Sequence, residues 1–227
     1  MTSSQSSPER ILLHVCCADC LLRYFFSSGY QLPQAVTALV APMTPRKKLS
    51  QKQLIFNADK WQLFFYNPNI YPRAEYRARL LAVKKISTLL SIPLIVADYQ
   101  PQDYFNLSLV REQFKQGILT GNRCWECQYL RLAKTLQYCR QQSSSGTTMS
   151  TTMLASAYLS QEQVIAVGKQ ICGQSFLVPK FTISPAQLKT SGFYKQNYCG
   201  CIFSLFDKTR EKYFSSVNSL DSHGNLR

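Results

Sequence analysis

Seven of the nine cysteines fall in three short clusters whose spacing is typical of metal ligands. In chain order the clusters are Cys16, Cys17 and Cys20, then Cys124 and Cys127, then Cys199 and Cys201. Thiolate sulfur binds zinc and iron–sulfur clusters, and each of these typically takes four protein ligands. If the fold brings these seven thiols together, they outnumber the four ligands that one tetrahedral metal can use. The clusters therefore predict an iron–sulfur or multi-metal centre.

Other interpretations of the same cysteines remain open at this point. A structural zinc ion would leave two or three of the thiols unused. A disulfide framework is disfavoured because the number of cysteines is odd and the adjacent Cys16 and Cys17 are poor partners. A four-iron cluster would use four cysteines. The remainder, with Asp19 beside them, could then hold a second metal with the open position that redox or Lewis-acid chemistry needs.

The other residues of metal-binding type are predicted to pack in the core. His14 lies within an apolar run, which favours a hydrogen-bonded core histidine over a metal ligand. Cys139 and Cys172 lie in amphipathic segments and are interpreted as packing residues. The sequence has no Gly-rich phosphate loop and no Ser-His-Asp or H-E-x-x-H pattern.

The composition predicts a protein that meets polyanions in a reducing compartment. The formal charge is +14 and the isoelectric point is near 9.5, which favours capture of nucleic acid. Interleaved Tyr, Phe and Arg favour RNA, whose exposed bases stack on aromatic rings. There is no run of eighteen or more apolar residues, and residues 1–10 lack the order of a secretory signal. We therefore expect a cytoplasmic protein without a membrane partner.

The pattern of the elements that must position the clusters predicts a Rossmann-like α/β fold. Residues 11–15 are predicted to form a buried parallel strand, and residues 20–28 a helix that ends at Gly29. Cys16 and Cys17 would then occupy the turn after a strand, which is where open parallel sheets bind ligands. Further strands are predicted at 62–66, 93–96 and 153–157, and further helices at 75–90, 127–139 and 161–171. The alternation predicts an open, mostly parallel sheet with helices on both faces.

The domain organisation is predicted to be simple. Residues 1–10 are expected to be a flexible N-terminus and residues 215–227 a flexible tail. Residues 11–214 would form a single α/β metal-binding catalytic domain, long enough to bury its own core. Residues 41–59 are irregular and contain a basic cluster at 46–48, either a solvated surface segment or an RNA-contacting loop.

Sequence blocks beyond the isolated cysteines follow one another in a fixed order over residues 11–206. They are HVCCA at 14–18, YNPNIYP at 66–72, EY at 75–76, RCWEC at 123–127, YLRL at 129–132, STTML at 150–154 and YKQNYCGCIFS at 194–204. Together these blocks resemble the epoxyqueuosine reductases of the QueH type, although any single block would not be specific. Relative to that family, residues 37–60 look like an insertion. The segment between residues 178 and 194 lacks the family's stretch rich in glycine and arginine.

The resemblance implies an oxidoreductase of tRNA processing. It would remove the epoxide oxygen of epoxyqueuosine at the tRNA wobble position, giving queuosine, with electrons from an unidentified donor. The family holds a four-iron, four-sulfur (4Fe-4S) cluster with an adjacent mononuclear iron and uses no cobalamin. Carried over, the metal ligands would be Cys16, Cys17, Cys124, Cys127, Cys199 and Cys201. Asp19 or Cys20 would complete the iron site and act in catalysis, and the division of the cysteines between the two metals stays open.

The resemblance also suggests residues that contact the substrate. Tyr66, Asn67 and Asn69, at the end of a predicted strand, would line the pocket. Arg77, Arg79 and Arg123 would neutralise tRNA phosphates. Two alternative functions are a zinc-stabilised RNA-binding module without catalysis and a thiol-based sulfur-transfer enzyme acting on tRNA.

Overall fold

The computed structural model describes residues 10–42, 54–116, 123–142 and 148–209. The basic cluster at 46–48, the tail at 215–227 and residues 1–9 of the N-terminus lie outside these ranges, so the predictions made for them stay predictions. None of the helices in the described ranges is long and apolar enough to cross a membrane.

Strands and helices alternate along most of the chain. The strands are β1 (Ile11–His14), β2 (Tyr30–Gln31), β3 (Val40–Pro42), β4 (Leu54–Ile55), β5 (Trp61–Phe65), β6 (Leu94–Val96), β7 (Thr148–Thr151) and β8 (Leu188–Thr190). The helices are α1 (Ala18–Ser27), α2 (Gln34–Thr37), α3 (Arg73–Leu90), α4 (Pro101–Phe105), α5 (Ser108–Gln116), α6 (Arg123–Gln141) and α7 (Gln161–Cys172). Residues 202–209 are also helical.

A four-stranded parallel sheet forms the centre of the fold, in the order β6-β5-β1-β7. In β1, Leu13 lies opposite Leu63 of β5 on one side and Ser150 of β7 on the other. The small pairs β2-β4 and β3-β8 lie outside this sheet. The predicted α/β fold with a mostly parallel sheet is therefore confirmed.

Helices cover both faces of the sheet. Leu13 and Leu63 belong to the main core, which also contains Phe25 of α1 and Val83 of α3. On the opposite face, Leu12, Phe64 and Tyr66 pack against α6, and the ring of Phe64 stacks on Tyr138 at 4.9 Å. Alternate residues of β1 thus point to two different helix layers, which explains why this strand is apolar without alternation.

The turn from β1 into α1 places the first cysteines at the carboxyl edge of the sheet. Cys17 is extended (φ −166°, ψ 168°) and caps α1, because its sulfur accepts a hydrogen bond from the backbone N–H of Cys20. The helix ends at Ser27, one residue before the predicted end, and Gly29 follows with a left-handed φ of +82°. Asn67 and Asn69 follow β5, and Thr152 follows β7, so this edge collects polar side chains from three neighbouring strands.

One predicted strand is wrong. Residues 153–157 do not form a strand, because β7 ends at Thr151 and Thr152–Ala155 is a 3-10 turn. The Thr151 hydroxyl accepts a hydrogen bond from the N–H of Met153 at 3.1 Å, which caps the turn and ends the strand. The predicted helix at 127–139 is longer than expected, since α6 begins at Arg123 and contains both cysteines of the second cluster.

The burial of β1 predicts a specific stability effect. Leu13 is fully buried, so Leu13→Ala should lower the free energy of unfolding by about 2–5 kcal/mol, through lost burial and a residual cavity. Leu81 of α3 is 66 % exposed, and Leu81→Ala should change the free energy of unfolding by less than about 0.5 kcal/mol. Urea unfolding of the metal-free protein measures both values. Equal effects for the two variants would contradict the assignment of β1 to the core.

Candidate metal centre

The first thiol group consists of Cys16, Cys17 and Cys20, at the junction of β1 and α1. Their sulfur atoms all lie within 4.8 Å of one another, and all three side chains are buried. Thr152 holds this turn in place: its hydroxyl accepts from the Cys16 N–H at 3.0 Å and lies 3.3 Å from the Cys16 sulfur. Three possible ligand atoms therefore lie close enough together to hold one metal ion.

Hydrogen bonding among the three thiols shifts their pKa values in opposite directions. Hydrogen bonds from the Cys17 and Cys20 thiols lower the pKa of Cys16 well below its ordinary value. Hydrogen bonding to Cys16 raises the pKa of Cys17 to about 11, and the pKa of Cys20 is raised for the same first reason. Three negative charges at this spacing would repel one another strongly, so full ionisation of the group requires a bound cation.

Asp19, predicted to be a possible iron ligand, is engaged elsewhere. Its carboxylate accepts two hydrogen bonds from the Nε–H of Arg23, both at 3.0 Å, and another from the hydroxyl of Thr190. The group of ligand atoms within 4.8 Å includes Cys20 and not Asp19. Of the two alternatives that the sequence left open, the geometry favours Cys20.

The second thiol group consists of Cys124, Cys127, Cys199 and Cys201, which line one pocket. We call this the thiol pocket. The sulfurs of Cys199 and Cys201 are 3.6 Å apart, too far for a disulfide bond. The remaining lining residues are Asn69, Tyr104, Arg123, Gln128, Arg131 and Leu159. The second and third sequence clusters, which are over seventy residues apart, thus share one site.

Arg79 positions the last cysteine pair. Its guanidinium is 2 % exposed, forms an ion pair with Glu75 at 2.6 Å and donates to the carbonyl of Cys199 at 2.9 Å. Gly200 between the two cysteines has φ of +120°, and a Cβ there would lie 2.8 Å from the Arg79 guanidinium. Only glycine therefore fits this turn. The prediction that Arg79 contacts phosphate is wrong, because the side chain is buried and paired.

The predicted substrate residues divide into two kinds. Asn69 and Arg123 line the thiol pocket. Tyr66 and Asn67 are buried in hydrogen bonds of the fold: the Tyr66 hydroxyl donates to Asp103 at 2.6 Å, and the Asn67 amide donates to the carbonyl of Val15 at 2.9 Å. Arg77 is exposed on α3 and is not among the residues that line the pocket.

The sequence analysis missed two pocket residues on α6. Gln128 and Arg131 line the thiol pocket beside Cys124 and Cys127. These four positions are related by steps of three and four, so they share one face of the helix. Extending the C-x-x-C pair along its own helical face would have found both residues.

The remaining candidates are core residues, as predicted. His14 is fully buried, with Nδ1 2.9 Å from the Thr151 hydroxyl and Nε2 3.2 Å from the carbonyl oxygen of Tyr66. Burial is the main reason that the pKa of His14 lies well below its ordinary value. Cys139 and Cys172 pack against the core and lie outside both thiol groups.

Comparison with known proteins gives a consistent result. The family model described as "Epoxyqueuosine reductase QueH" matches residues 43–207, which include the second thiol group. A curated protein of that name from Thermotoga maritima is 29 % identical over 212 residues, covering 89 % of this chain and 93 % of the relative. The Helicobacter pylori relative is 31 % identical over 171 residues, 69 % of this chain and 45 % of its own length. The Histophilus somni relative is 27 % identical over 214 residues, 89 % of this chain and 74 % of the relative.

Two cysteines of the second group, Cys199 and Cys124, should differ in reactivity. Hydrogen bonding to the Cys201 thiol lowers the pKa of Cys199, whereas burial raises the pKa of Cys124. A lowered thiol pKa means that the reactive thiolate is present at lower pH. Iodoacetamide should therefore label Cys199 of the metal-free protein at least about tenfold faster than Cys124 at pH 7, and its labelling rate should level off at lower pH.

Peptide mass spectrometry against pH measures both rates. The matched variant is Cys201→Ala, which removes the hydrogen bond and should move the Cys199 profile to higher pH. A Cys199 profile that Cys201→Ala leaves unchanged would refute the stated cause.

Proposed function

The chain belongs to the epoxyqueuosine reductase QueH family, and we propose that it reduces the epoxide of epoxyqueuosine in tRNA to give queuosine. The observation that carries the proposal is the pairing of this membership with two thiol groups near the carboxyl edge of a parallel sheet, the first buried and the second half-buried. As an epoxyqueuosine reductase the protein is an oxidoreductase. The reaction consumes two electrons and two protons, breaks both C–O bonds of the epoxide and releases water, leaving a carbon–carbon double bond.

The residues present fit the cofactors that the family implies. Within the described ranges, the two thiol groups contain cysteine alone, a soft ligand set that suits iron–sulfur clusters and disfavours hard oxygen-preferring ions. Seven thiols suffice for a 4Fe-4S cluster with four cysteines and a single iron with three. An iron with three protein ligands retains an open position. When bound, these groups supply single electrons and a Lewis acid for an epoxide oxygen.

Cys124 and Cys127 are proposed as cluster ligands, because the first turn of α6 presents both sulfurs to the thiol pocket. Cys20, rather than Asp19, is proposed as the third residue of the first group to bind metal. The chain's own contribution is to hold these thiols rigidly, through Thr152 at the first group and Arg79 at the second. Tyr104, which is buried, and Leu159 help to exclude water from the pocket.

The surface supports a tRNA partner. The formal charge of +14 favours binding of the phosphate backbone, and Arg123 lies where a phosphate or base could approach the thiol pocket. Large aromatic side chains are exposed and could stack on unpaired bases of the anticodon loop. They include Tyr71, Tyr129, Tyr158 and Tyr194.

The first test combines metal analysis with product detection. Protein purified without oxygen should be brown, contain iron and acid-labile sulfide, and convert epoxyqueuosine in tRNA to queuosine with a strong reductant, as measured by nucleoside mass spectrometry. Cys127→Ala should lose the sulfide and lower the rate by at least about 100-fold, because a cluster ligand is missing. Cys139→Ala, on the same helix but outside both groups, should retain both.

Zinc without sulfide or product in the wild-type protein would instead favour the RNA-binding module. Parallel Cys16→Ala and Cys201→Ala variants identify the other two cluster ligands. Loss of all sulfide marks a cluster ligand, whereas loss of one iron with retained sulfide marks the single-iron site.

A second test separates Cys20 from Asp19. Cys20→Ser should lose iron and product, because a thiolate ligand is replaced by a poor one. Asp19→Asn should keep wild-type iron and sulfide but lower the free energy of unfolding by about 1–3 kcal/mol, since Arg23 and Thr190 lose a charged acceptor. Metal content and urea unfolding distinguish the two variants. Iron loss in Asp19→Asn with full retention in Cys20→Ser would reverse the assignment.

A further inference from the structure

Arg131 is a buried cation to which the described parts of the chain offer no carboxylate. The side chain is 3 % exposed, and no Asp or Glu oxygen in those parts lies within 4.0 Å of it. One terminal nitrogen donates to the neutral side-chain oxygen of Asn67 at 2.7 Å. By contrast, the buried guanidiniums of Arg23 and Arg79 each have an acidic partner.

A buried charge of this kind requires an anion nearby. The guanidinium stays protonated in proteins, and burying an unpaired ion costs several kcal/mol. The Nε–H of Arg131 is buried and has no hydrogen-bond partner, while the residue lines the pocket that holds the second thiol group. Among the residues that line this pocket, the groups able to supply negative charge are the thiols and whatever they bind.

Arg131 acts electrostatically on both thiol groups. In the first group, hydrogen bonds from neighbouring thiols lower the pKa of Cys16, and the Arg131 charge lowers it further. In the second group, burial raises the pKa of Cys127 to about 12, and the Arg131 charge opposes that rise. Arg131 is therefore close enough to influence a sulfur in each group.

Neighbouring side chains also indicate that the pocket binds a polar group. The side-chain oxygens of Asn69 and Gln128 are buried without hydrogen-bond partners, and both residues line the pocket with Arg131. Buried polar atoms in folded proteins are normally paired. Of the three unpaired groups around this pocket, the Arg131 Nε–H requires a hydrogen-bond acceptor, whereas the two amide oxygens require a donor.

We propose that Arg131 is the charge-compensating residue of the metal centre, with its Nε–H donating to an anionic sulfur and its charge favouring the reduced form. The inference rests on the proposed function only in requiring an iron–sulfur centre at the thiol pocket. Adding an electron makes such a centre more negative, so a buried cation stabilises the reduced state. Hydrogen bonds to the sulfurs act in the same direction.

The test is a redox titration of the holoenzyme, followed by its visible spectrum. R131Q should make reduction harder by at least tenfold in the equilibrium constant, a shift of about 59 mV to more negative potential for a one-electron couple. R131K keeps the charge and should recover most of this shift. R140Q is the matched control: it removes the same charge from an exposed position on α6, nine residues along the helix, and should leave the potential unchanged.

The outcomes separate this inference from the proposed function. A wild-type potential in R131Q, with iron and sulfide retained, would overturn the role of Arg131 while leaving the reductase activity intact. If R131Q binds no cluster, the iron and sulfide contents of R131Q and R131K are compared instead. A cluster retained in R131K then supports charge compensation, and equal loss of the cluster in both variants overturns it. A wild-type protein that binds the cluster but forms no queuosine refutes the function and leaves the Arg131 result standing.

Discussion

Mutual repulsion among buried thiolates is the constraint on which the rest of this structure depends. Seven thiols in two groups cannot all ionise without cations, and the metal-free arrangement shows how this is handled. In the first group, hydrogen bonds from two neighbouring thiols lower the pKa of Cys16. Near the second group two buried arginines are present, one paired with a glutamate and one without an acid partner in the described ranges. The fold therefore supplies partial compensation, and the metal ions proposed for these groups would supply the remainder.

The parallel sheet makes this arrangement possible. The carboxyl ends of β1, β5 and β7 meet at one edge, so the vicinal cysteines, Asn69 and Thr152 come from separate parts of the chain to one region. Helix α6 then adds a continuous face carrying two cysteines, Gln128 and Arg131. Two proposed ligands and the proposed compensating charge share one rigid element, which fixes their distance more firmly than a loop would.

Much of the fold and part of the site could be predicted from local patterns. The apolar run of β1, the glycine after α1 and the spacing of the cysteines are all local signals, and the first two led to correct assignments. The false strand at 153–157 came from a buried segment whose apolar character resembles a strand. The deciding interaction was a hydrogen bond from Met153 to the Thr151 side chain. Long-range contacts decided the rest: the Asp19 carboxylate accepts a hydrogen bond from Thr190, and Arg79 is buried against residues 198 and 199.

The Cys199-Gly200-Cys201 turn lies close to the end of the described chain, whereas Cys16 and Cys17 lie near its start. During synthesis the ribosome therefore releases the first thiol group and the central strands long before the last two cysteines emerge. The sheet edge and α6 are available to fold while the second group still lacks half of its sulfurs. A centre that uses both groups could therefore be completed only after Cys201 has emerged, long after the first three cysteines.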